Sequence, residues 1–352
     1  IPAITTGQKL PIACKIFERL NNTATPLTIV DLMVATTYTK KFNLRGSLDS
    51  VNLEFYSFDF DLSERTMLQC MSSCLQKGTT RDHIIDSSSE IENKWKKTTQ
   101  YLKLSIDFLK QHCSVPVSKF LPNEIILAPI TYFFYMYGNK QLSTDDIKQL
   151  KKYFWLSVLS QRYTQSQDSI AEEDIKNMDE LLKNSKSKVF DYYVQKIDAE
   201  IIKITEMSFG SAFAKGILCF LASKNPLEFE NNNIVKLDLS FADANLKQLH
   251  HIFPQNFVKS TFKEGNKELD YINSIANISL ISQTTNRKIW DKKPSIYFAD
   301  FNKNKNLDKA LKSHLINDLD SFGLNKDDFK LFIDKRSKAI ADEIEQFVKT
   351  LQ

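Results

Sequence analysis

Glycine is unusually scarce in this chain, and its scarcity limits the folds that the chain can adopt. Only 8 of the 352 residues are glycine, about 2% where globular proteins average about 7%. Sandwiches and barrels need many tight turns, and tight turns depend on glycine, so an all-β fold is disfavoured. The composition instead favours long helices with few sharp corners. At this length we expect two or three domains.

Composition also excludes several protein classes. With 42% hydrophobic and 26% charged residues, the chain has the balance of a globular protein rather than a disordered one. Its longest apolar runs, such as Ile125–Ile130, fall far short of the ~20 residues that a membrane span requires. The five cysteines are an odd number without regular spacing, which predicts reduced thiols packed in the core of a cytoplasmic protein.

Helical periodicity dominates most of the chain. Apolar residues recur at intervals of three and four through residues 50–225 and again in a terminal stretch, 329–351. Thr28, with Asp31 three residues later, predicts a helix N-terminus. Arg162 in the helical middle is compatible both with a phosphate contact and with a buried ion pair to Asp174.

The pattern changes after residue 226. Two stretches, 234–240 and 275–281, alternate apolar and polar residues and predict strands. Residues 284–289 then predict the opening of a short helix. The predicted fold is therefore α+β and mostly helical, with a helical middle domain before a mixed C-terminal domain.

Four polar residues in this C-terminal region stand out as a candidate catalytic set. His250 and His251 are adjacent, Asn277 follows in the second predicted strand, and Asn286 comes nine residues later, in the predicted helix. A histidine pair alone is more often a surface or hydrogen-bonded core feature. The order strand, loop, strand and helix with these residues resembles the ββα-metal arrangement of HNH endonucleases.

That resemblance assigns a role to each residue. His251 is expected to be the general base, and His250 and Asn286 the protein ligands of a metal ion. Asn277, grouped with His251 in the catalytic set, is expected to bridge the loop and orient His251. One imidazole and one amide leave most of the coordination shell to water and phosphate, which suits Mg²⁺ or Mn²⁺ better than structural zinc. Trp290 lies one turn after Asn286, where some HNH nucleases carry a further ligand, and cannot serve as one.

A more specific resemblance covers nearly the whole chain. The stretches that carry it are Ile16–Asn21, Pro26–Thr28, Asp31–Leu32, Phe154–Ser157, Ser160–Tyr163, Asp174–Ile175, Leu249–Pro254, Asn273–Asn277, Thr285–Ile289, Lys293–Tyr297 and Phe332–Arg336. They resemble GmrSD-type restriction endonucleases, bacterial anti-phage nucleases of which several recognise modified DNA and couple cleavage to nucleotide binding. The resemblance implies three segments: a C-terminal remnant of the ParB-like N-terminal domain (1–45), a helical linker domain (46–225) and an HNH nuclease domain (226–352). It places NTP binding only in the part of the N-terminal domain that this sequence does not include.

Charge supports a nucleic-acid partner near the candidate site. Residues 259–312 hold 11 basic and 6 acidic side chains, an excess of +5 against a net charge of +4 for the whole chain. Within this segment Arg287, Lys288 and Lys293 flank Asn286 and are the predicted DNA contacts.

The sequence therefore predicts a metal-dependent DNA endonuclease of an anti-phage restriction system, with modified phage DNA as a candidate substrate. Two alternatives stay open: an RNase toxin that uses the same site, and a DNA-binding or assembly fragment that is inactive without the N-terminal NTPase domain. The sequence leaves a homo-oligomer open and predicts no membrane partner.

Overall fold

The computed structural model describes residues 27–240 and 250–351. The helices, in chain order, are α1 Ile29–Thr37, α2 Leu44–Tyr56, α3 Glu64–Gln76, α4 Arg81–Asp86, α5 Ser88–His112, α6 Leu127–Tyr137, α7 Thr144–Leu159, α8 Gln167–Lys183, α9 Ala199–Ile204, α10 Ala212–Ser223, α11 Leu237–Ser240, α12 Gln255–Thr261, α13 Gln283–Ile289, α14 Pro294–Phe301, α15 Leu307–Ser313 and α16 Phe329–Leu351. Two short strands, β1 His250–His251 and β2 Ile278–Ser279, form an antiparallel pair. The protein is mostly helical, as predicted. Residues 16–21, Pro26, Leu249 and Cys14 lie outside the described residues.

The predicted helix start at Thr28 is confirmed in detail. The Thr28 hydroxyl accepts a hydrogen bond from the Asp31 amide at 3.1 Å, and the Asp31 carboxylate accepts one from the Thr28 amide at 3.2 Å. Each side chain thus satisfies an N–H that the first turn of α1 would leave without a partner.

The described chain divides into two compact units. The first contains the described residues up to Phe108 together with 123–153 and 162–190. In its interior α6 packs against both α3 and α8, and α6 is apolar on nearly every face, as a fully enclosed helix must be. The predicted domain boundaries at residues 45 and 225 remain predictions.

A buried polar cluster lies inside the first unit. Arg162 donates two hydrogen bonds to Asp174 Oδ1, at 2.8 and 3.1 Å, and Asp174 is completely buried. The Tyr163 hydroxyl donates to the other carboxylate oxygen at 2.6 Å, and Tyr153 is 2.8 Å from Tyr163. Of the two roles open for Arg162, the structure therefore has the buried ion pair.

The second unit comprises residues 109–122, 154–161 and the described residues from 191 onward. Part of its interior is an aromatic cluster in which Trp155 packs edge-on against Phe220 and Phe347, the last of these on α16. The terminal helix predicted from periodicity is confirmed as α16, at the predicted limits. The helix predicted over 284–289 is confirmed as α13.

Of the two strand predictions, one is wrong and the other is confirmed only in part. Over 234–240 the prediction is wrong: Ile234 forms one isolated bridge with Leu227, and the residues that follow form the short helix α11. Val235 is buried, but Ile234 and Leu239 are both largely exposed, so the stretch has no covered sheet face along its length. Over 275–281 only β2 is a strand, because a 3₁₀ turn, Ile275–Asn277, occupies the first part.

Two further sequence predictions concern membrane-spanning helices and the state of the cysteines. None of the helices within 27–240 and 250–351 is long and apolar enough to cross a membrane. The four cysteines in those ranges, Cys70, Cys74, Cys113 and Cys219, are free and buried, as predicted for core thiols.

Candidate active site

Strand β1 separates the two histidines onto opposite faces. Successive side chains of a strand point in opposite directions, so neighbouring residues can enter different environments. His250 pairs with Ser279 and is only 4% exposed, whereas His251 pairs with Ile278 and is half-buried. One imidazole is therefore sequestered, and the other reaches solvent.

His250 is neutral at physiological pH and keeps a nitrogen available. Burial lowers the pKa of its imidazole to about 4, and the nearby Asn286 side chain offsets only part of that effect. Its Nδ1 is buried and has no hydrogen-bond partner among the described residues. A buried nitrogen without a partner costs free energy, and coordination of a metal ion would satisfy it.

His251 is held by an asparagine. Its Nε2 lies 3.1 Å from Asn273 Oδ1, and the Asn273 amide nitrogen donates to the Glu206 carboxylate at 3.3 Å. Because the carboxylate can only accept, it turns the amide oxygen of Asn273 toward the ring. Gln255 Nε2 donates to the same oxygen at 2.9 Å. Gln255 Nε2 also lies 3.3 Å from His251 Nε2, but the Asn273 oxygen can only accept, so its shorter 3.1 Å contact favours the proton of His251 on Nε2 and the lone pair on Nδ1.

The pKa of His251 is also lowered. Partial burial is the main cause and the Lys259 cation adds to it, whereas the hydrogen bond to Asn273 acts in the opposite direction. The imidazole is therefore neutral at pH 7, the state in which it can accept a proton.

Asn277 fixes the backbone that follows the histidines. It is completely buried, and its Oδ1 accepts from the Phe253 amide at 2.9 Å while its Nδ2 donates to the Phe253 carbonyl at 3.0 Å. The same Nδ2 donates to the Ile272 carbonyl at 2.9 Å, and the Asn277 carbonyl accepts from the Ile252 amide. The Asn277 side chain thus bridges the backbone at Phe253 and Ile272 and does not line the cleft, and its role in orienting His251 stays a prediction.

A buried arginine from α16 holds the turn that contains Asn277. Arg336 is 1% exposed and donates to the carbonyls of Ala276 (2.8 Å) and Ile278 (2.6 Å), the two neighbours of Asn277, and to that of His314 (3.1 Å). Burial lowers the pKa of its guanidinium to about 9, so Arg336 stays charged at neutral pH. Three carbonyl dipoles compensate its charge.

Helix α13 presents Asn286 at the site, and its N-terminus is doubly supported. The Ser282 hydroxyl accepts from the Thr285 amide at 3.3 Å, which caps the first turn. The Glu228 carboxylate accepts from the Ser282 amide at 3.1 Å and from the Thr285 hydroxyl. A carboxylate at a helix N-terminus also interacts favourably with the helix dipole. The position of Asn286 is therefore fixed from outside the helix.

The site opens into a cleft of about 400 Å³. Its walls are formed by His251, Pro254, Gln255, Asn256, Asn286, Arg287, Trp290 and Asp291. The candidate general base and one candidate metal ligand thus share one opening. His250 lies behind them, buried in the protein.

The three predicted DNA contacts differ in whether an acidic side chain already pairs with them. Lys288 is bound to both oxygens of Glu230, at 2.6 and 2.5 Å, and Lys293 pairs with Asp327 at 2.9 Å. Arg287 is exposed, lines the cleft and forms no ion pair with any residue that the structure describes. Of the three, Arg287 is therefore the cation that a phosphate in the cleft can bind without first breaking an ion pair to a described residue.

The donor set suits an oxygen-rich hydrated ion. Within residues 27–240 and 250–351 no three His, Cys, Asp or Glu side chains cluster to form a metal cage. The buried Nδ1 of His250 and the neighbouring amide of Asn286 are the donors that fit the predicted ion, and water and phosphate would complete its shell.

Residues 194–343, which include every residue of the site, match the family model of the C-terminal domain of GmrSD restriction endonucleases. Residues 194–343 are therefore similar to the C-terminal domain of these enzymes. The resemblance seen in the sequence is confirmed over these residues.

A curated relative extends the match toward the N-terminus. An uncharacterized protein of Methanocaldococcus jannaschii is 26% identical over 377 aligned residues, covering 95% of this chain. The chain spans about three fifths of that relative, since 61% of its length is matched.

Five residues that support the candidate site could not be assigned a role from the sequence. They are Glu206, Glu228, Asn273, Gln255 and Arg336, which act through long-range hydrogen bonds. Asn273 and Arg336 lay within or beside stretches that carried the resemblance, but the sequence held no signal of their partners.

Proposed function

We propose that this GmrSD-type region is a metal-dependent HNH endonuclease that hydrolyses DNA phosphodiester bonds. The observation that carries the proposal is the pairing of two differently placed imidazoles. Within the described part of the chain, one is buried beside Asn286 with a nitrogen that has no hydrogen-bond partner, and the other is neutral and lines a cleft beside Arg287, which has no ion pair there. The order β1, β2, α13 agrees with the ββα arrangement of such nucleases.

His251 would activate the attacking water. With Nε2–H directed at Asn273, the Nδ1 lone pair takes the proton of a water molecule in the cleft as the water oxygen attacks phosphorus. Glu206 and Asn273 keep the ring in one orientation, so the lone pair is aligned before the substrate arrives. The carboxamide of Asn277 holds the backbone at residues 252–253, immediately after the base.

His250 and Asn286 would hold a Mg²⁺ or Mn²⁺ ion. When bound, the ion would neutralise charge on the scissile phosphate and the leaving 3′ oxygen. Arg287 would bind a neighbouring phosphate from the mouth of the cleft. The expected products carry 5′-phosphate and 3′-hydroxyl ends.

We further propose a restriction role against phage DNA, including modified DNA, for the protein that contains this region. The family description supports it, because the matched domain belongs to restriction endonucleases.

The decisive experiment compares the unchanged chain with His251→Ala on supercoiled plasmid DNA in Mg²⁺ and in EDTA. Losing a general base lowers rates by about 10²–10⁴-fold, so nicking should fall by at least a hundredfold. The hydrogen-bond partners of the half-buried ring are the side chains of Asn273 and Gln255, which also bond each other, so the variant should unfold at nearly the same temperature and bind DNA with similar affinity.

A matched control is Asn256→Ala, which removes another polar side chain from the cleft wall and should cut within a few-fold of the unchanged chain. In a separate assay, the unchanged chain is given plasmid DNA and transfer RNA in parallel, and the two cleavage rates are compared. Equal cleavage by His251→Ala, or metal-independent cleavage, would overturn the proposal. Preferential cleavage of RNA would assign the site to an RNase instead.

A further inference from the structure

An exposed tryptophan stands at the edge of the cleft. The Trp290 side chain is 74% exposed, although large aromatic side chains are ordinarily packed in the interior. It lines the same cleft as His251, Asn286 and Arg287. Core packing therefore does not account for an indole at this position beside the candidate site.

The backbone at Trp290 is also strained. Its φ is +45° and its ψ is −129°, in a region that glycine adopts readily and bulky side chains rarely do. The Trp290 amide donates to the Asn286 carbonyl at 2.8 Å, so this residue ends α13. Glycine is the usual residue where a helix ends with positive φ. A tryptophan here is unfavourable in conformation and in exposure, a combination typical of functional positions.

The charges around Trp290 indicate what would cover it. Asp291 lies next to it on the cleft wall, where its carboxylate accepts a hydrogen bond from Asn256 at 2.9 Å. A carboxylate repels phosphate, so a nucleic-acid backbone is expected on the Arg287 side. The indole face is then left for an uncharged, flat group, which in a nucleic acid is a base.

A base inside a continuous duplex hides both faces in the stack, so an indole can cover only one that has left it. We propose that Trp290 is a stacking platform for an unpaired nucleobase next to the scissile phosphate. It gives the protein a preference for DNA with an extrahelical base. The inference rests on the proposed function, because it places DNA in this cleft.

The test measures binding with cleavage removed. In the His251→Ala background, fluorescence anisotropy compares a fluorescein-labelled 20-base-pair duplex with the same duplex carrying one bulged thymine, in Mg²⁺. Stacking of one base on an aromatic side chain corresponds to about 5- to 100-fold in affinity. The Trp290-containing chain should therefore prefer the bulged duplex by at least about fivefold.

Variants at Trp290 separate stacking from structure. Trp290→Gly should lose the preference for the bulge, and its thermal unfolding midpoint should rise because glycine relieves the backbone strain. Trp290→Phe keeps a stacking face and should retain most of the preference. Tyr193→Ala removes an aromatic side chain that is 82% exposed and does not line this cleft, so it should change nothing.

Each outcome bears on one of the two proposals or on both. If Trp290→Gly keeps the preference, or if the parent binds both duplexes equally, the stacking role is overturned, while loss of plasmid nicking in His251→Ala still supports the nuclease. If the chain binds neither duplex, both proposals fail.

Discussion

Two buried polar clusters in this protein use similar groups in different ways. In the first unit the charges and hydroxyls of Arg162, Tyr163 and Asp174 are directed at one another, deep in the interior. At the candidate site His250 keeps an unpartnered nitrogen, and His251 faces an open cleft. A polar cluster closed on itself contributes to stability, whereas one with donor atoms left over beside a cleft can act on a ligand.

The largest effect that tests this difference is expected at Asn277. Asn277→Ala removes three side-chain hydrogen bonds and leaves buried groups of Phe253 and Ile272 without partners. Each such group costs about 1–3 kcal/mol, so we expect a loss of about 4 kcal/mol in the free energy of unfolding, together with loss of DNA nicking. Urea denaturation and a plasmid assay measure the two effects.

Asn266→Ala is the matched control for Asn277. Asn266 is exposed and accepts one hydrogen bond, from the Glu268 amide at 2.9 Å. Its loss should cost about 1 kcal/mol or less and leave nicking unchanged. A comparable loss of stability in both variants would contradict the role given to the buried carboxamide.

A smaller effect, confined to stability, is expected in the closed cluster. Asp174→Asn leaves the Arg162 guanidinium without its buried counter-charge and should destabilise the protein by about 3 kcal/mol. Nicking per folded molecule should stay within about twofold, because Asp174 does not line the cleft of the candidate site.

The same arginine provides its own control. Glu173 contacts Arg162 at 3.1 Å but is 63% exposed, so Glu173→Gln should cost less than about 1 kcal/mol. Loss of nicking by Asp174→Asn at a temperature where the variant is fully folded would break the distinction between the clusters.

The smallest effect concerns the basic residues of α13. Arg287→Ala should weaken DNA binding several-fold and reduce the slope of log affinity against log salt by about one, since one phosphate contact is lost. Lys288→Ala should change the DNA affinity and the salt slope less, because Glu230 already neutralises Lys288. Anisotropy titrations at several salt concentrations measure this. A larger effect at Lys288 would show that its ion pair opens to DNA.

The sequence predicted those features that depend on local pattern. Periodicity was sufficient for α16 and α13, and the Thr28 cap follows from two residues three apart. Alternation misled over 234–240, because a strand needs a partner and a covered face, and neither property is visible in seven residues.

The support of the site could not be predicted from local pattern. Asn273 is 22 residues from His251, and Arg336 is 60 residues from Ala276. Such pairs meet only through the tertiary fold. The exposure and strained backbone of Trp290 were equally invisible, since its sequence position indicated only that it replaces a ligand.

The position of Arg336 has a consequence for how the protein is made. A ribosome adds this arginine 60 residues after Ala276, so the histidine strand and its loop leave the exit tunnel well before the side chain that secures them. A nascent polypeptide that stops short of α16 would carry the two imidazoles of the candidate site without the arginine that holds the neighbouring turn. The candidate site is therefore completed only after the last helix has been synthesised.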